Sequence, residues 1–190
     1  HTVEGFSGGP LNARFFGEPV AVSLRVGPDG KGLAIRQDGQ LTVPEVFRQA
    51  GLESDSGFGL NGTLDYSAQL TVGSDTTFGI RVRSNLEGLA VEWPEPLGKK
   101  AAEPAPLEAT IDPRAEEGLR ISGSWENRMS FDLVRHDTGF DLTLGHLYLG
   151  THTLRDIEIS ALELEDRWVV STRSERAVGR VVLPDGTDRK

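Results

Sequence analysis

Residues 60–72, LNGTLDYSAQLTV, alternate small or apolar residues with polar ones without interruption. Successive side chains of a β-strand point to opposite faces, so this pattern predicts one strand with one apolar face. A strand of that length covers roughly 43 Å at about 3.3 Å per residue, about twice the usual span. The residues predicted to share the apolar face are Leu60, Gly62, Leu64, Tyr66, Ala68, Leu70 and Val72. Such a long apolar strip calls for a functional explanation as well as a structural one.

The same alternation recurs along most of the chain. Residues 20–26 predict one strand, Leu33 begins the next, and QDGQ at 37–40 is interpreted as the turn that ends it. A returning strand after residue 72 adds three residues to the apolar face: Phe78, Ile80 and Val82. A slip in the alternation near Gly88 is interpreted as a β-bulge, and a meander of strands fills residues 119–182. Together these patterns predict an all-β protein of ten or more antiparallel strands, several of them long.

A single helix is predicted over residues 42–51, TVPEVFRQAG. Thr42 and Glu45 have the spacing of a capping box, and Gly51 suits the position just after a helix. The apolar stripe includes Val46 and Phe47, and a helix this short needs packing to be stable. We therefore expect it to lie on the sheet as a plug or a cap.

Residues 93–107, WPEPLGKKAAEPAPL, contain four prolines. Proline has no N–H to donate, so this segment cannot be a central strand and is predicted to be a connection. The chain is expected to form one segment over residues 1–190, with a sub-boundary at the Pro-rich connection 94–107.

Composition narrows the choice of function. The chain has 190 residues, and its net charge of −9 argues against nucleic-acid binding. It has no cysteine, which excludes disulfides and zinc–thiolate sites. No apolar run reaches the length of a membrane-spanning helix, and no segment has the features of a signal peptide. The sequence begins with His1 instead of Met, so we expect a piece of a longer protein.

Candidate catalytic residues do not form a convincing constellation. The four histidines lack metal-binding spacing, so no metal or cofactor is expected. Asp132 and Asp141 could be posed as an acid and a base, but their alternation with apolar residues is typical of a solvated strand face. The expectation is a protein without enzyme activity.

The apolar strips admit two architectures. Two sheets could bury these faces against each other in a closed sandwich, which would act as a structural or interaction module. Long strands could instead form a curved, groove-like sheet whose apolar wall stays open for a ligand. The long strand at 60–72 favours the open groove.

A family resemblance bears on this choice. Residues 88–111, GLAVEWPEPLGKKAAEPAPLEATI, resemble a strand and connection of the YhdP family, which is AsmA-like and related to TamB. The matching residues are Pro94, Pro96, Leu97, Gly98, Lys99, Pro106 and Leu107. Residues 8–20, 60–66 and 162–186 are similar to further family segments in the same order. Trp93 departs from the leucine expected before the first proline.

The resemblance implies a segment of a bridge-like protein of Gram-negative bacteria that conducts phospholipids between the inner and outer membranes. It implies a periplasmic location, an inner-membrane anchor outside this sequence, and acyl chains and adjoining β-groove segments as partners. The residues expected to line the lipid-groove wall are Leu60, Leu64, Tyr66, Leu70, Val72, Phe78, Ile80 and Val82. Val46 and Phe47 are expected to act from the helix as a plug inside the groove or as a cap at its end.

Overall fold

The computed structural model describes residues 7–26, 32–49, 59–72, 78–95, 97–116, 118–165 and 167–184. These residues contain thirteen β-strands and one short α-helix. The predicted all-β fold with a single helix is therefore confirmed. The chain divides into two compact units, His1–Thr110 (unit 1) and Ile111–Lys190 (unit 2), and one strand contains the boundary.

Unit 1 holds the helix and the first six strands. In chain order these elements are β1 (Ser7–Phe15), β2 (Glu18–Val26), β3 (Leu33–Thr42), α1 (Val43–Gln49), β4 (Leu60–Val72), β5 (Phe78–Ser84) and β6 (Leu89–Val91), followed by the start of β7 (Leu107–Ala115). Strands β1 to β5 pair antiparallel in sequence order, and β6 pairs with the first residues of β4. Helix α1 begins one residue later than predicted, and residues 50 and 51 lie outside the described residues.

The strand register places apolar residues of β2 to β5 side by side. Leu70 of β4 lies opposite Ile35 on one side and Ile80 on the other, and Ile35 in turn lies opposite Leu24. Paired residues of neighbouring strands point to the same face. The apolar face of unit 1 therefore consists of Val20, Val22, Leu24, Val26, Leu33, Ile35, Leu41, Leu64, Tyr66, Ala68, Leu70, Val72, Ile80 and Val82.

The predicted turn at residues 37–40 is wrong, because β3 continues through it to Thr42. Gly39 is a strand residue, and a Cβ atom at its position would lie 2.6 Å from Cγ1 of Val20. Glycine thus leaves room for Val20, which is buried, to pack across the strand pair. The Asp-Gly pair signals a close side-chain approach here and not a hairpin.

Strand β1 is not predicted by the alternation, because its sequence, SGGPLNARF, lacks such a pattern. Among the described strands it pairs only with β2, and its register shifts between Gly8 and Leu11, on either side of Pro10. An edge strand with a bulge is where a sheet tolerates proline, since no ladder bond is lost there.

The predicted bulge at Gly88 is also wrong. Strand β5 ends at Ser84, Leu86 and Gly88 both take positive φ angles of 53° and 94°, and β6 then pairs with a different part of β4. The slip in the sequence pattern marks the change from one strand to another.

The Pro-rich connection folds back onto β6. Backbone bonds join Val91 to Lys99 in both directions at 2.9 Å, and Ala105 N–H donates to the Asn85 carbonyl at 2.6 Å. Four apolar side chains in and beside the connection are buried: Leu86, Leu89, Val91 and Ala105. This small cluster includes some of the most deeply buried side chains of unit 1.

Lys99 is buried in that cluster with 5% of its surface exposed. Its Nζ donates to the carbonyl oxygens of Leu89 at 2.8 Å and Lys100 at 2.9 Å. The ammonium therefore ties the connection to β6.

Replacing Lys99 by Met should lower the free energy of unfolding by about 1–3 kcal/mol, because buried carbonyls lose their donor while the aliphatic stem is kept. Urea denaturation of the purified chain measures the change. Lys100→Met, at an exposed neighbouring position, is the matched control and should be near neutral. Equal stability of the two variants would contradict a tethering role for the Lys99 ammonium.

Unit 2 holds the rest of β7 and six further strands. These are β8 (Gly118–Trp125), β9 (Met129–His136), β10 (Gly139–Leu149), β11 (His152–Leu164), β12 (Arg167–Arg173) and β13 (Val178–Pro184). They pair antiparallel in sequence order, and within the described part of the chain β13 pairs only with β12. Residues 140–144 and 147–149, which the alternation predicts as separate strands, form one strand whose register shifts at Gly145.

Unit 2 also has an apolar face, although its opposite face carries one apolar row, Leu162, Val169 and Val182. The register aligns Ile121, Leu133, Leu142 and Ile159 across four strands, and the neighbouring rows are likewise apolar. The apolar face of unit 2 consists of Leu119, Ile121, Trp125, Met129, Phe131, Leu133, Phe140, Leu142, Leu144, Leu147, Leu154, Ile157, Ile159, Ala161, Trp168, Val170, Val181 and Leu183.

Burial in each unit differs from that of a closed sandwich. A sandwich packs two inner faces about 10 Å apart and removes their side chains from water. Among the described residues, none of the large side chains is fully buried, and most positions of both apolar faces remain partly exposed. Within each unit the sheet therefore has one apolar face that is not covered by a second sheet.

Candidate functional site

The structure brings most of the predicted wall residues together on the apolar face of unit 1. Leu64, Tyr66, Leu70 and Val72 alternate along β4 with exposed polar residues. Ile80 and Val82 join them from β5, where each lies opposite an apolar residue of β4. All of these side chains except Tyr66, which is buried, are partly exposed.

One predicted wall residue stands apart, and the side chain of another is outside the described residues. Leu60 precedes Gly62 and lies opposite Val91 of β6, so it belongs to the small β4–β6 pairing. Phe78, the first residue of β5, lies opposite Val72 in the backbone register, and its side chain is outside the described residues.

Helix α1 packs against β3 and β4, in agreement with a helix that lies on the sheet. Val46 is partly buried, and the side chain of Phe47 is outside the described residues. Thr42 Oγ1, just before the helix, bonds to Glu18 Oε1 at 3.2 Å and contacts Thr63 Oγ1 at 3.1 Å. The plug or cap role of Val46 and Phe47 stays a prediction.

One polar pair lies within the apolar face of unit 1. Gln37 shares a row with Val22 and Ala68, and its amide donates to the hydroxyl of Tyr66. Burial raises the pKa of Tyr66, so its phenol is neutral. This hydrogen bond offsets part of the cost of placing two polar groups in the apolar wall. In the sequence, the only sign of this pair is that Gln37 interrupts the alternation of β3. Because residues 37–40 are predicted to form a turn, the sequence pattern does not reveal the pair.

The opposite face of each sheet carries ion pairs. In unit 1, Arg83 donates to Glu108 at 2.8 Å. Arg36 bonds Asp38 at 2.8 Å, and this hydrogen bond lowers the pKa of the carboxyl. Exposed pairs of this kind contribute little to stability, and they keep the face solvated.

The candidate acid and base, Asp132 and Asp141, both lie on the polar face of unit 2. Arg120 donates to Asp132 at 2.6 Å. Asp141 accepts from the Ser160 hydroxyl at 2.5 Å and contacts His136 Nε2 at 2.9 Å, and these bonds lower its pKa. Both aspartates lie on a solvated strand face, which is the interpretation that the alternation favours.

The apolar face of unit 2 contains residues that the sequence pattern alone does not single out. Phe140 and Trp168 pack with ring centroids 6.4 Å apart near one margin of the face. Trp125 is buried at the other margin, and the Arg128 guanidinium lies 5.1 Å from its ring centroid. Arg135 lies in register between Leu119 and Phe140, which places a cation among these apolar residues.

Two further findings concern chemistry and membranes. Across the parts of the chain that the structure describes, there is no cluster of three or more His, Cys, Asp or Glu residues suited to a metal ion. In the same residues, no helix has the length and apolar character needed to cross a bilayer.

The fold and its faces define a class of protein: each unit is an antiparallel sheet with one uncovered apolar face and an opposite face that carries ion pairs. The chain belongs to the YhdP family. The model of that family, described as "YhdP protein", matches residues 2–184. Neither the curated proteins nor the solved structures contain a match to it.

Proposed function

We propose that this chain is a segment of a bridge-like protein that conducts phospholipids through an apolar β-groove between the inner and outer membranes. The observation that carries the proposal is the uncovered apolar face of each unit in a member of the YhdP family. The segment acts as a wall and not as an enzyme.

The physical basis is that hydrocarbon is attracted to an aliphatic wall without directional bonds. Removing apolar surface from water stabilises the contact by about 25 cal/mol per Å². Because this attraction has no preferred position, an acyl chain can slide along rows such as Leu24, Ile35, Leu70 and Ile80. Soluble proteins rarely leave apolar surfaces of this extent exposed unless something binds there.

The adjoining segments of a longer protein are the other proposed partners, and the unpaired edges of the outermost described strands are where they would bind. Strands β1 and β13 each have one neighbour among the described strands, so their outer edges can pair with adjoining β-groove segments of a longer protein. A periplasmic location and an inner-membrane anchor outside this sequence are part of the same proposal, since a lipid bridge must reach both membranes.

Native mass spectrometry of the purified chain tests the proposal. We expect adducts with the masses of phospholipids, and organic extraction should release the same lipids. Lipid-free protein incubated with phosphatidylglycerol in mild detergent should regain the adducts. A chain that carries no lipid after purification and takes none up would contradict the proposed function and favour a structural module.

A further inference from the structure

Arg135 is an exposed cation on the apolar face of unit 2. It lies opposite Leu119 of β8 and Phe140 of β10, and alternation along β9 places it on the same face as Phe131 and Leu133. The other arginines of the paired strands β8 to β13 whose faces the register fixes, such as Arg120 and Arg180, lie on the polar face. Among these arginines Arg135 therefore departs from the division of faces, and one carboxylate, Glu163 opposite Trp168, lies on the same apolar face.

Arg135 has no ion pair with the described residues, although Arg120 on the opposite face pairs with Asp132. A guanidinium presents five N–H donors in a planar fork that matches the oxygens of a phosphate. A ligand that brings an anion to this position would gain charge-assisted hydrogen bonds, which are stronger than neutral ones.

The surroundings of Arg135 are those of a boundary between apolar and polar phases. Phe140 is its register partner, and Trp168 packs on Phe140. Tryptophan and long basic side chains both favour the level where hydrocarbon meets a polar headgroup, since each has an apolar body and a polar or charged end. The row of Leu133, Leu142 and Ile159 begins about 6.6 Å further along the strands, two residues at about 3.3 Å each.

We propose that Arg135 binds the phosphate of a phospholipid whose acyl chains lie on the apolar face of unit 2. The inference rests on the proposed function and adds an orientation to it. The headgroup is held at the margin formed by Arg135, Phe140 and Trp168, and the tails run toward Leu133 and Ile159.

Binding of paired lipids to the 190-residue chain tests this. The probes are phosphatidylglycerol and diacylglycerol with identical acyl chains, presented in the same mild detergent, and inorganic phosphate alone. The variants are Arg135→Gln, Arg135→Lys and the matched control Arg180→Gln, which removes an exposed arginine from the opposite face. Circular dichroism verifies that each variant is folded.

We expect the wild-type chain to bind phosphatidylglycerol about tenfold more tightly than diacylglycerol, the effect of one charge-assisted contact of about 1.4 kcal/mol. Arg135→Gln should abolish this preference while diacylglycerol affinity is unchanged, Arg135→Lys should keep part of it, and Arg180→Gln should keep all of it. Inorganic phosphate alone should bind weakly, because it lacks the tails.

Three results would overturn the inference. Equal loss of preference in Arg135→Gln and Arg180→Gln would indicate a general charge effect. An unchanged preference in Arg135→Gln would exclude this contact while leaving the proposed groove intact. Failure of the wild-type chain to bind either lipid would overturn the proposed function and the headgroup site together.

Discussion

Leu70→Asp should weaken phospholipid binding by the apolar face of unit 1 roughly tenfold or more. Leu70 lies at the centre of a row, with Ile35 and Ile80 opposite it on the two sides. A carboxylate there must either be buried under an acyl chain without a partner or keep the chain away from the wall. We expect affinity for phosphatidylglycerol to fall roughly tenfold or more, since an uncompensated buried charge costs well over the roughly 1.4 kcal/mol that corresponds to tenfold.

The neighbouring residue supplies a matched control. Gln69→Asp introduces the same change in charge on the same strand, but on the polar face. It should leave lipid binding unchanged. Thermal unfolding of both variants separates lost binding from lost folding. If Leu70→Asp bound phospholipid as well as Gln69→Asp did, the apolar face of unit 1 could not be the wall of a groove.

This contrast between residues 69 and 70 could be predicted from the sequence alone. The alternation along β4 assigns each residue to a face because strand geometry repeats every two residues whatever the rest of the fold does. The residues predicted on β4 and β5, from Leu64 to Val82, accordingly share one face in the structure. Their role in lipid contact remains a prediction.

Features that depend on a neighbouring strand could not be predicted in the same way. The Asp-Gly pattern predicts a turn at Gly39, and only the strand pairing reveals the close approach of Val20 that requires glycine. Gln37 and Arg135 interrupt the alternation, yet a single strand does not show whether such a residue has a partner across the sheet. Strand β1 has no pattern of its own and is defined by its pairing with β2.

The glycine at position 62 is predicted to be a small residue of the apolar strip, and its structural role is different. Gly62 has a φ angle of +125°, and it lies where β4 changes partners from β6 to β3. A Cβ at this position would lie 2.1 Å from the carbonyl oxygen of Gly88. Reciprocally, Gly88 has a φ angle of +94°, and its own Cβ would lie 2.0 Å from the carbonyl oxygen of Thr63. Two backbones thus touch at a point where neither can carry a side chain.

Gly62→Ala should therefore lower the free energy of unfolding of the chain by about 3 kcal/mol or more. The unfavourable φ angle alone costs on the order of 1–3 kcal/mol, and the clash with a backbone atom adds to it because a backbone cannot rotate aside as a side chain can. Urea denaturation with constant m-value measures the difference.

Gly79→Ala is the matched control on the adjacent strand. A Cβ at Gly79 meets nothing within 4 Å, and its φ angle is an ordinary one for a strand. Alanine there should leave stability unchanged or raise it by about 0.5–1 kcal/mol, since glycine loses more conformational freedom on folding. Equal effects of the two substitutions would mean that the backbones of Gly62 and Gly88 are not in contact. The long strand would then run past residue 62 as the uninterrupted apolar strip that its sequence suggests.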